Sequence, residues 1–149
     1  MPSARRTLWT IGYERFPTPQ GMCEVLEEAG VEWVCDVRAL PQSRRPGFSR
    51  RGLQDVLADA GIVYEHRAEL GNPAPLRELY RAGRLEEGRE AFRAQLMAER
   101  AWALDALADR LGERPTAILC LEDDPALCHR GVILEELVRR HPDVEVVRL

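Results

Sequence analysis

The sequence predicts an α/β fold: a single three-layer domain over residues 1–149, with an open, mostly parallel sheet of about five strands and helices on both faces. Three observations predict it. Short apolar runs alternate with segments whose apolar residues recur at helical spacing. The runs at 31–37 and 116–121 are almost continuously apolar, as suits strands covered on both faces. Finally, 149 residues is one domain's length, with 45% hydrophobic and 31% charged residues, an ordinary globular mix that excludes a disordered chain.

The elements follow in order. Thr7 to Ile11 reads as the first strand, ending at Gly12-Tyr13. Thr18 caps a helix with Pro19 at its first position; Met22, Val25, Leu26 and Ala29 share one face, and Gly30 ends it. Val31 to Val37 is the second strand. Ala39 to Phe48 is a polar loop, Ser49 the next cap, and Leu53, Val56, Leu57 and Ala60 the apolar stripe before Gly61. Ile62 to Tyr64 is the third strand, followed by a loop around Gly71-Asn72-Pro73. Pro75 to Ala82 forms a short helix. Phe92, Leu96, Ala103, Leu104, Leu107 and Leu111 mark a single long one. Thr116 to Leu121 is the fourth strand. Asp124-Pro125 opens the final helix, with Leu127, Leu134, Leu137 and Val138 inward, and Val144 to Val147 is the last strand. Trp9, Trp33, Trp102, Cys23 and Cys35 take core positions, and His141 lies at the surface.

Composition narrows the function classes. No run of 18 apolar residues exists, so no membrane association is expected, and Met1 to Arg6 contain no apolar signal core. The four cysteines show no C-x-x-C pairing and read as reduced thiols of a cytoplasmic protein. All 21 basic residues are arginine, which excludes a lysine Schiff base or a P-loop lysine. Motifs for dinucleotides (G-x-G-x-x-G) and for a hydrolase serine elbow (G-x-S-x-G) are absent. No cofactor is expected, and the oligomeric state stays open.

Ligands of open parallel sheets sit beyond the carboxyl ends of the strands, so those ends hold the candidate site. The first offers Gly12 and Tyr13, the second Asp36 and Arg38, the third Tyr64 and His66. The fourth offers Cys120 and Glu122, followed by Cys128, His129 and Arg130 in the first turn of the last helix. Asp36 and Arg38, two apart on a strand, share a face and form an ion pair. Between Arg38 and Arg51 there is no acid; Arg44, Arg45, Arg50 and Arg51, with Ser43, make a cationic loop whose forks match phosphate or carboxylate. Glu122 is the candidate general acid/base. Cys128 is a substrate contact or a thiolate nucleophile. Cys120, Glu122, Cys128, His129 and His66 lack zinc-finger spacing, so no metal is expected.

Several of these segments resemble a known family. Thr10-Ile11-Gly12-Tyr13, Asp36-Val37-Arg38 with Pro41 and Ser43, Phe48, Gly61-Ile62-x-Tyr64, Leu70-Gly71, Leu119-Cys120-x-Glu122 and Cys128-His129-Arg130 together resemble the domain of unknown function 488 family, from about Thr7 to Arg140. Where the family pattern often has histidine and serine after the first glycine, Tyr13 and Glu14 stand here. The resemblance implies a compact α/β domain of bacteria or archaea and assigns no residue a role. From the residues themselves, the expected function is binding of a phosphate-bearing small molecule or nucleic acid, with catalysis left open. A non-catalytic interaction or regulatory module and a thiol-dependent enzyme using Cys128 are the alternatives.

Overall fold

In the computed structural model, which describes residues 5–149, five strands form one wholly parallel sheet in the order β3-β2-β4-β1-β5. The expectation for Met1 to Arg6 falls largely outside the described residues. The strands are β1 (Arg6–Gly12), β2 (Trp33–Asp36), β3 (Val63–His66), β4 (Thr116–Cys120) and β5 (Val144–Arg148). The helices are α1 (Pro19–Glu28), α2 (Arg50–Asp59), α3 (Ala74–Arg81), α4 (Leu85–Glu99), α5 (Ala101–Glu113) and α6 (Arg130–Arg140). Among the described residues no helix is long and apolar enough to cross a membrane.

Strand periodicity sends alternate residues into two separate cores. Ile11, Val34 and Leu119 face α1 and α2 through Met22, Leu26, Leu53 and Leu57. Leu8, Cys35 and Ile118 face α4, α5 and α6 through Phe92, Leu96, Leu104 and Ile133. Each layer contributes on the order of 1.5–3 kcal/mol per fully buried large aliphatic side chain.

This layering fixes where a ligand can sit. The chain leaves β2 over the α1–α2 face toward the β3 edge, and leaves β4 over the opposite face toward the β5 edge. Their loops therefore diverge, and a crevice opens between the carboxyl ends of β2 and β4.

Three local expectations change. The long helix breaks at Arg100, whose backbone (φ −137°, ψ 26°) separates α4 from α5. Trp102, just after that break, is 56% exposed rather than core. The last helix begins at Arg130, not at Asp124. Asp124 does cap, accepting from Ala126 N at 3.0 Å, but the capped element is a single 3-10 turn, Pro125–Leu127. Cys128 then runs extended (φ −140°, ψ 171°) before α6 starts. That detour buries Cys128 and His129 and leaves Leu127 47% exposed instead of inward.

Candidate functional site

The crevice is a cavity of about 380 Å³, the size of a small-molecule site. Its wall includes Tyr13 after β1, Arg38 and Leu40 after β2, Asn72, Arg77 and Tyr80 from the α3 region, and Cys120, Glu122, Cys128 and His129 after β4. Four scattered stretches of sequence thus meet at one sheet edge.

Gly12 makes the approach close enough. A Cβ on it would lie 1.9 Å from the Glu122 carbonyl oxygen, so any side chain there forces the β1 and β4 ends apart. The two ends are tied by Tyr13 N to Cys120 O (3.1 Å) and Glu14 N to Leu121 O (2.9 Å).

At the end of β2, Asp36 and Arg38 pair as strand periodicity requires. Asp36 is fully buried and accepts from Arg38 Nε (2.9 Å), Arg38 Nη2 (2.7 Å) and Tyr64 Oη (2.5 Å). Burial, reinforced by the Asp36 charge, pushes the Tyr64 phenol up. Arg38 Nη1 donates to the Phe48 carbonyl at 2.8 Å, and the Tyr13 ring stacks on Phe48 at 4.9 Å. Most of Arg38's guanidinium is therefore committed inside the protein. Tyr64 and His66 support it rather than line the cavity: His66 Nε2 meets the Arg38 carbonyl at 2.7 Å.

The cationic loop lies elsewhere. Arg45 donates to the backbone carbonyls of Tyr13 (3.2 Å), Glu14 and Phe16 (2.6 Å), pinning the loop to the β1 end. Arg44, Arg50 and Arg51 are exposed and do not line the cavity. Ser43 and Ser49 bond each other's polar groups across the loop, so the Ser49 side chain does not cap α2.

After β4, Cys120 Sγ lies 3.7 Å from Glu122 Oε2. Burial, then the neighbouring Cys128, raises the Glu122 carboxyl above its ordinary range. The adjacent Cys120 lowers the Cys128 thiol, helped by His129 and Arg130, and Cys128 in turn, with burial, raises Cys120. His129 Nε2 lies 2.7 Å from the Val37 carbonyl; a carbonyl only accepts, so this nitrogen carries the proton. Arg130 is fully buried behind the cavity, with Nη2 on the Glu122 carbonyl at 2.5 Å. It forms no ion pair with the Glu122 carboxylate, and its Nε and Nη1 make no hydrogen bond among the described residues.

Sequence reasoning missed Asn72, Arg77 and Tyr80. All three line the cavity, and Asn72 Oδ1, Arg77 Nε and Tyr80 Oη are buried atoms without a hydrogen-bond partner among the described residues. Burial, then Cys128 nearby, pushes the Tyr80 phenol up to about 12. The only signal in the sequence was the turn Gly71-Asn72-Pro73 followed by a polar-faced helix.

The sequence pattern of the domain of unknown function DUF488 matches residues 18–137. That span holds every cavity residue named above except Tyr13, and it is shorter than the Thr7-to-Arg140 resemblance. No curated protein and no solved structure matches the chain.

Proposed function

The chain belongs to the family of the domain of unknown function DUF488, and we propose that it binds a small phosphate-bearing ligand of nucleotide size in the crevice between β2 and β4. One observation carries this reading: Asn72, Arg77 and Tyr80 all line one cavity, and each holds a buried polar atom (Oδ1, Nε and Oη) without a partner among the described residues. Buried polar groups are ordinarily satisfied, and three residues around one cavity whose groups are not suit a ligand. Arg77 has no carboxylate partner among the described residues, unlike Arg38, so it is the cation for the anionic group. Leu40, Leu121 and Leu127, exposed at the mouth, suit the apolar body of a base. A crevice of about 380 Å³ favours a mononucleotide over a nucleic-acid strand. Glu122 is the group placed to give or take a proton should the ligand react.

The test is calorimetric titration of nucleoside monophosphates into wild type, Arg77→Gln and Arg50→Ala. A lost charge-assisted contact weakens binding roughly 10- to 100-fold. Arg77→Gln should show that loss at an unchanged urea midpoint, and Arg50→Ala should not. No binding by wild type at millimolar ligand removes the reading. It would then favour the non-catalytic interaction module, to which the inward closure of Asp36 on Arg38 already points.

A further inference from the structure

We propose that Cys120, Cys128 and His129 form a binding site for a zinc-class transition-metal ion at the floor of the cavity. The three residues are buried, and one ligand atom from each lies within 4.8 Å of the others. A tetrahedral ion with Zn–S of about 2.3 Å and Zn–N of about 2.0 Å needs ligand separations of about 3.5–3.8 Å. Ligand atoms no more than 4.8 Å apart stand about an ångström from those separations, within the reach of side-chain adjustment.

The imidazole is already oriented. His129 Nε2–H is held by the Val37 carbonyl at 2.7 Å, which leaves Nδ1 as the lone-pair donor. A metal-binding histidine is typically fixed in this way by a backbone carbonyl on its other nitrogen. Two thiols and one imidazole are soft to borderline donors, which select zinc-like ions over magnesium or calcium. The backbone supports the set: Cys120 ends β4, and Cys128 is delivered by the extended step between the 3-10 turn and α6.

Charge supports it as well. Arg130 is a fully buried cation with no carboxylate partner among the described residues. Two thiolates neutralise a dication, so an anionic fourth ligand would leave one negative charge beside Arg130. That fourth position opens onto the cavity, since Cys120, Cys128 and His129 all line it together with Glu122. Three protein ligands with an open fourth position is the arrangement of a reactive rather than a structural zinc. The spacing that hides the site in the sequence is the seven-residue loop between the cysteines, which matches no finger pattern.

The site is tested without nucleotide, so its outcome is separate from that of the ligand reading. Reduced, metal-free protein is titrated with Co²⁺. One equivalent should bind and give thiolate-to-cobalt charge transfer with tetrahedral d–d bands. The Cys120→Ser/Cys128→Ser variant should lose both, while Arg77→Gln should keep them. A measurement that needs no variant accompanies it: added Zn²⁺ should protect Cys120 and Cys128, of the four cysteines, from alkylation mapped by mass spectrometry. The proposal is overturned if folded, reduced wild type takes up neither ion at micromolar concentration. It is equally overturned if the double variant, still folded, retains the cobalt spectrum, or if Zn²⁺ leaves the alkylation of these two thiols unchanged.

Discussion

Replacing Arg38 with alanine should cost the fold about 3–5 kcal/mol, because it strands a buried carboxylate. Asp36 is 0% exposed and Arg38 only 6%, so solvent screening does not soften the loss. The guanidinium supplies Asp36 with Nε at 2.9 Å and Nη2 at 2.7 Å; after its removal the carboxylate keeps only the Arg38 amide at 3.1 Å and the Tyr64 hydroxyl. The Phe48 carbonyl loses its donor too. Against a total stability of about 5–15 kcal/mol for an ordinary domain, this is a large fraction. With a urea m-value of about 2 kcal/mol/M, the midpoint should fall by about 2 M. The double variant Asp36→Leu/Arg38→Met removes both charges and should recover most of the loss, since a buried pair replaced by apolar groups of similar volume is often neutral. Urea unfolding followed by circular dichroism reads all three proteins. A loss below about 1 kcal/mol for Arg38→Ala at unchanged m would refute the reasoning, because Asp36 would then have another way to hold its charge. Paired with the calorimetric titration, urea unfolding separates scaffold from site: Arg38→Ala should weaken ligand binding together with stability, whereas Arg77→Gln should weaken it in a protein of wild-type stability.

Two further perturbations test the frame. Gly12→Ala places a Cβ 1.9 Å from the Glu122 carbonyl oxygen, a backbone atom that cannot swing aside; a loss of about 1–3 kcal/mol in urea unfolding is expected. At the far end of the molecule, Arg140 and His141 hold the Asp105 carboxyl down to about 2 from its ordinary 3.8. A lowered carboxyl stabilises the fold above its ordinary pKa and loses that contribution as pH falls toward 2. Asp105→Asn should therefore flatten the pH dependence of the thermal midpoint between about 4 and 2, and an unchanged acid limb would contradict the assignment.

The layers were legible because they rest on local rules. Apolar runs with Gly30 (φ 80°) and Gly61 (φ 76°) after the first two helices announce β-α-β units without tertiary information. Asp36 and Arg38 were legible for the same reason, since a strand sets residues two apart on one face. The start of α6 was not, because Asp-Pro is an equally good opening for a 3-10 turn and for an α-helix. The loop arginines were misleading: charge density suggested an anion site, but Arg45 is used to satisfy the carbonyls of Tyr13, Glu14 and Phe16. Arg130 read as a candidate site residue in the first turn of the last helix; it is fully buried and does not line the cavity. Asn72, Arg77 and Tyr80 could not be found locally at all. They lie after β3 at the sheet's edge, yet reach the cavity because α3 packs chiefly on α4, which carries them back over the ends of β2 and β4.

That placement explains how the two halves of the crevice differ. The floor is built on a strand end and a helix start that are anchored from every side: Cys120 by the β1–β4 ladder, His129 by Val37, and the Glu122 carbonyl by Arg130. Reactive donors need such rigidity, because a shift of an ångström removes their geometry. The opposite wall comes from α3, an eight-residue helix with no fully buried side chain, held mainly through contacts such as Tyr80 against Gly88 of α4. Arg77 Nε and Tyr80 Oη are left without partners among the described residues. Under the proposed reading a ligand would join a lightly anchored wall to a firmly anchored floor, and Asn72, Arg77 and Tyr80, which carry the unsatisfied atoms, all line the space it would fill.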